Sequence, residues 1–110
     1  MRLVDARRIA MSLPEVTEEP HFEYTSFRVR GKMIATAPAS GEYLHVFVAD
    51  EDREPALAAD PEFVEKLFWG DKVRGLRVLL SAARPKVVED LLRKAWSRKA
   101  PKSLAAKAHE

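Results

Sequence analysis

The clearest pattern in the chain is a period-two alternation between residues 25 and 48. Thr25, Phe27 and Val29 fall on one side and Ser26, Arg28 and Arg30 on the other, a spacing that a strand can use and a helix cannot. Phe27 and Val29 are therefore expected in the core. Gly31-Lys32 interrupts the run where the backbone must turn back, and glycine supplies the positive φ such a turn demands. Met33 to Ala37 reads as the return strand, ended by Pro38, which lacks a ladder donor. Ser40-Gly41 marks a second turn. Leu44, Val46 and Val48 then alternate with Tyr43, His45 and Phe47, so both faces of this third strand are largely apolar and it is expected in the middle of a sheet.

The flanks follow a different period. Leu3, Ala6, Ala10 and Leu13 recur at helical spacing with Arg2, Asp5, Arg7 and Arg8 opposite, predicting an amphipathic helix over residues 2–12 that Pro14 stops. The stretch from Glu15 to Pro20 reads as an acidic loop. Asp50 is a suitable N-cap for a helix running to about Ala59. Asp60-Pro61 then predicts a second short helix, with Phe63, Val64 and Leu67 as its stripe. Trp69 to Lys72 reads as a loop. Val73 to Leu80 predicts one or two strands, with Gly75 at a bulge or turn. The last helix begins at Pro85 and buries Val87, Val88, Leu91, Leu92, Ala95 and Trp96. Continuing its turn places Arg98 and Lys99 in the apolar arc, so the helix must by then have passed the edge of the sheet or ended.

The order helix, three strands, one or two helices, one or two strands, helix gives an α+β chain. Its architecture is a two-layer α/β sandwich with a mainly antiparallel sheet covered by helices on one face. At 110 residues and 46% hydrophobic content, one domain over residues 1–100 is expected, followed by a polar, alanine-rich tail, 101–110, with too little apolar content to pack.

A second set of residues carries a resemblance. The run Ser12 to Phe22 and then Ser26 to Ala35, with Asp60-Pro61, Trp69-Gly70, the strand Val73 to Leu80, Ala95-Trp96 and Ala100-Pro101-Lys102, resembles the MmcQ/YjbR family of small bacterial proteins. The likeness covers nearly the whole chain. It implies an α-β(3)-α-β(2)-α arrangement and, since that family is usually described as DNA-binding, a nucleic-acid partner.

Charge is uneven although the net is only +2. Residues 49–65 hold seven carboxylates against Arg53 alone, whereas residues 84–110 hold eight Lys and Arg against three acids. The molecule should be electrically polarised. With no cysteine there is neither a disulfide framework nor thiolate chemistry. No apolar run approaches the ~20 residues of a membrane helix, and residues 1–5 do not open a signal peptide. A soluble, cytoplasmic, monomeric chain without metal or cofactor is the expectation.

Candidate chemistry is sparse. His21, His45 and His109 share no metal-ligand spacing, and His45 alternates with core residues, as a hydrogen-bonded structural histidine does. His21 and Glu23, beside Tyr24, have no accompanying nucleophile or oxyanion device. The acidic run has no turn glycine for a calcium loop, and Gly31, Gly41, Gly70 and Gly75 are isolated, so no phosphate-cradling loop exists. No catalytic residue is assigned and the chain is read as nonenzymatic. Trp69 and Trp96 are aromatics of the kind that stack on the bases of single strands; Trp96 belongs to the core by its helical position, whereas Trp69, in a loop beside a glycine, is open to either reading.

The basic residues remain. Arg28, Arg30 and Lys32 lie on the polar face and tip of the first predicted hairpin, and Arg93, Lys94, Arg98, Lys99 and Lys102 lie along the end of the last helix. Lys66, Lys72, Arg74 and Arg77 cluster between them in sequence. Cations gathered on one face supply salt-dependent affinity for phosphates. The reading is thus a DNA-binding module of weak or no sequence specificity, held by phosphate contacts from those first eight residues. The alternative is a protein- or ligand-binding adaptor resembling secretion-chaperone folds, with no nucleic acid. The arrangement of charge separates the two, since one contiguous positive face favours DNA and interspersed charge favours the adaptor.

Overall fold

The computed structural model describes residues 1–108. In chain order the elements are α1 (Leu3–Met11), β1 (Val16–His21), β2 (Tyr24–Val29), β3 (Lys32–Ala37), β4 (Tyr43–Val46), α2 (Asp50–Ala59), β5 (Val64–Trp69), β6 (Lys72–Leu79), α3 (Pro85–Lys99) and α4 (Lys102–Ala108), with a single 3₁₀ turn at Leu80–Ala82. The strands form one antiparallel sheet in the order β1-β2-β3-β4-β6-β5. As the both-sided apolar pattern of residues 43–48 predicts, β4 lies in the interior of that sheet.

The register lines up whole rows of side chains. Phe27, Ala35, Val46 and Leu76 are successive partners across β2, β3, β4 and β6, and all are buried. Over this row pack Ala6 and Ala10 of α1 and Val88, Leu91, Leu92, Ala95 and Trp96 of α3. α1 and α3 pack on each other and over β3 and β4, while α2 lies against β5 and β6. The Trp96 indole N–H donates to the Pro14 carbonyl at 2.9 Å, so the one polar atom of the largest buried side chain is satisfied.

Two glycines sit where the backbone of the sheet needs them. Arg30 and Gly31 both take positive φ, +50° and +81°, between the paired residues Val29 and Lys32. That is the two-residue hairpin whose twist matches the strands. Gly75 sits against β4, where a Cβ would lie 2.3 Å from the Val46 carbonyl oxygen. The bulge expected at this glycine falls beside it: Leu67 pairs with Gly75 and Phe68 with Val73, leaving Arg74 as the extra residue.

Four expectations are corrected. The acidic loop is β1, an edge strand whose residues after the buried Val16 are exposed or half-exposed, so it shows no apolar period. Its Pro20 is tolerated because a strand at the edge has one unpaired side. The second short helix is β5: Asp60 closes α2 instead of opening a helix, its N–H bonding to the Ala56 carbonyl, and Val64–Trp69 pairs along β6. Ala49 is the N-cap of α2, and Asp50 is its first helical residue. In the polar tail, residues 102–108 form α4 and Leu104 is buried. His109 lies outside the described residues.

Candidate nucleic-acid interface

The eight cations singled out in the sequence divide into three groups. Arg30, Arg93 and Lys94 are engaged by carboxylates: Arg30 makes two hydrogen bonds to Glu15 at 2.6 and 3.0 Å, Arg93 pairs with Glu89 at 3.0 Å, and Lys94 pairs with Asp90 at 2.9 Å. The last two are i,i+4 pairs along α3, a common arrangement for a solvated helix face. Arg28 lies on the sheet, where its Nε donates to Ser26 at 2.9 Å and its Nη2 lies 3.4 Å from the His21 ring. Lys102 is exposed at the start of α4.

Lys32, Arg98 and Lys99 form the third group, and the fold adds Arg74 to them. The antiparallel pairing puts the beginning of β3, the end of β4 and the beginning of β6 at one end of the sheet. The C-terminus of α3 arrives at the same place, and Arg98 donates to the Phe47 carbonyl just past β4 at 3.3 Å. Partial burial, and then the nearby charges of Arg98, Lys32 and Arg74, lower the pKa of the Lys99 ammonium. Among the described residues none of the four is ion-paired to a carboxylate. Lys99 and the three cations that act on it form an electropositive end to the sheet.

Among the described residues no helix packs on the other face of the sheet. A polar row crosses it: Glu19, Ser26, Thr36, His45, Arg77 and Glu65 are successive partners through all six strands. Ser26, Thr36 and His45 are buried all the same. Tyr24 stands with its ring 6.0 Å from that of His45, and burial followed by the charge of Arg77 lowers the His45 pKa, so the ring favours its neutral form. Around this floor lies a groove of about 920 Å³ walled by Phe22, Tyr24, Met33, Phe47, Phe68 and Trp69. Phe22 is 94% exposed, Trp69 59% and Phe68 54%. The groove runs from the β1–β2 turn to the β5–β6 turn, which lie at opposite ends of the sheet. Its Trp69 end meets the basic group, for the Arg74 guanidinium lies 5.2 Å from the Trp69 ring centroid and Phe47 is the acceptor for Arg98.

A scan against protein-family models matches the YjbR family over residues 11–98, most of the chain. The chain belongs to the YjbR family. Among solved structures, the YjbR chain is similar to the crystal structure of Deinococcus radiodurans protein DR2400, described as carrying domain DUF419. The TM-score is 0.75 and the identity 23%, over 89% of this chain and 78% of that one. At that identity the likeness shows the fold alone. A comparison with curated proteins gave no match.

In this YjbR chain two parts of the site escape sequence reading. Arg74 stands apart in sequence from Lys32 and Lys99, and only the β3-β4-β6 pairing joins them. Phe22 and Phe68 give no signal because Phe22 lies in a turn and Phe68 follows a bulge, so neither keeps a strand's alternation. The pair His21 and Glu23 forms no acid/base couple: His21 faces Arg28 and stacks edge-on against Phe22 at 4.9 Å. Among the described residues no three His, Asp or Glu side chains are grouped to hold a metal ion, and no helix is long and apolar enough to cross a membrane.

Proposed function

We propose that the protein is a nonenzymatic nucleic-acid-binding module that acts as a monomer in the cytoplasm and grips phosphates at the basic end of its sheet. The observation that carries this is the convergence of Lys32, Arg74, Arg98 and Lys99 from two strands and a helix, none of them ion-paired to a carboxylate among the described residues. Lys99, whose charged form is disfavoured by partial burial and by the three cations around it, gains a compensating charge when a phosphate arrives. Arg93 and Lys94 drop out of the binding surface, since their charge is already matched within α3. The contacts are to the backbone of the nucleic acid, which carries no sequence information, and weak specificity follows. An adaptor reading draws on the apolar face alone and leaves the basic group without a role.

The test is a titration with DNA at several salt concentrations. Replacing Lys32, Arg98 and Lys99 together by alanine should weaken binding alike for all sequences and flatten the logarithmic salt slope by ~0.9 per lost duplex contact, or ~0.7 for single strands. The double variant Arg93→Ala, Lys94→Ala should bind as the parent does. Absence of affinity at low salt, or a folded triple variant that binds normally, would remove the reading.

A further inference from the structure

The proposed phosphate contacts use one end of the sheet and leave its uncovered face without a role. That face is unusual in what it shows to water. Phe22, Phe68 and Trp69 are more than half exposed and Tyr24 is 40% exposed, and all four wall one groove. Single exposed aromatics are ordinary, whereas a contiguous set around a concavity marks a contact surface. The occupant must be apolar and flat enough for the aromatic walls, able to bond with a polar floor, and anionic where the groove meets Lys32, Arg74, Arg98 and Lys99.

Charge decides among occupants. Glu65 is cancelled by Arg77 at 2.9 Å, and Glu19, which accepts the Thr17 hydroxyl at 3.0 Å, and Glu23 lie at the β1–β2 side, away from the basic end. Lys32, Arg74, Arg98 and Lys99, which no carboxylate pairs with among the described residues, therefore make the groove positive at its Trp69 end. A second copy of this chain would bring the same positive end. A duplex hides the faces of its bases, so it can meet the basic end but cannot fill the groove. An unpaired strand offers what the walls and the end can hold: bare π-faces to stack on the aromatic rings and a phosphate on every residue for the cations.

We infer that the uncovered sheet face is a stacking platform for unpaired nucleobases, and that the preferred nucleic acid is single-stranded. Bases lie against Phe22, Tyr24, Phe68 and Trp69, their edges reach the hydroxyl of Thr36 and the ring of His45, and the strand's phosphates run on to the basic end. Every base has a π-face, so stacking leaves the binding tolerant of sequence. The inference rests on the phosphate reading above and adds to it the class of nucleic acid.

Three probes of equal length separate the two ideas: a thymidine oligomer of ~15 nucleotides, within the range such sites span, an abasic phosphodiester, and a duplex. Trp69 emission reports contact, since Trp96 is only 2% exposed. The thymidine oligomer should bind more tightly than the abasic strand by about fivefold or more for each base that stacks, and should quench the emission. The double variant Phe22→Ala, Phe68→Ala touches side chains already in water, so it should stay folded by circular dichroism; it should lose most of that preference and keep the abasic affinity. Equal affinity for all three probes leaves the phosphate reading standing and sinks the platform. No binding by any probe sinks both. A parent that sediments as a dimer, and becomes monomeric in the double variant, would assign the face to self-association and overturn the inference.

Discussion

A Cβ on Gly75 would meet backbone, the Val46 carbonyl oxygen at 2.3 Å and Phe47 Cα at 3.2 Å, and backbone in the middle of a sheet cannot swing aside. Gly75→Ala should therefore destabilise by ~1–3 kcal/mol as an overpacked core does, lowering Tm by roughly 5–20 °C for a domain of this size. A melt within a degree of the parent would show that β4 and β6 can part there. His45 offers a second test at this scale. It faces Arg77 on β6, Tyr24 on β2 and Thr36 on β3, and its folded pKa lies below the ordinary 6.5. Between those two values the unfolded chain binds more protons than the folded one, so stability rises with pH through that window and falls as the medium is acidified below about 6.5. His45→Gln should flatten this slope between pH 5 and 7 in urea titrations at fixed ionic strength.

At the scale of elements, what the sequence revealed depended on burial. The runs at 24–29, 32–37 and 43–46, and the stripe of α3, announce themselves because one side of each is pressed into a core and its period survives. The two edge strands do not. In β1 only Val16 is buried, and charge at Glu18 and Glu19 looks like a loop; in β5, Phe63, Val64 and Leu67 fit a helical stripe as well as they fit a strand, and pairing with β6 decides. The basic site was half legible for the same reason: residue types could be read, but which cations meet depends on strand order. α4 is another misread element, and Leu104, with Ala105 beside it, packs it on the core. Leu104→Ala should lose about 2 kcal/mol, the lower end of the range for buried leucines, because the site lies at the rim of the core. If chemical denaturation found no change, α4 would add nothing to the stability of the domain.

Taken as a whole, the molecule sets an acidic helix close to a basic edge. α2 starts shortly after β4 ends, and Arg53, which bonds to the Val48 and Val73 carbonyls at 2.9 and 3.1 Å, ties its first turn to the sheet near Arg74. Asp50, Glu51 and Asp52 there oppose any approaching phosphate. Converting all three to their amides should tighten DNA binding by about two- to fourfold at low salt and lose that gain as salt rises; weaker binding would mean that the acids position the site. A sheet that ends in β1 and β5 also has two free margins, each a row of unused donors and acceptors on which another chain could add a strand. Pro20 interrupts one row and Glu18 and Glu19 crowd it with charge, while Glu65 and Lys66 stand midway along the other. These polar residues, which conceal both strands from sequence analysis, are also what discourages copies of the protein from growing edge to edge into fibrils.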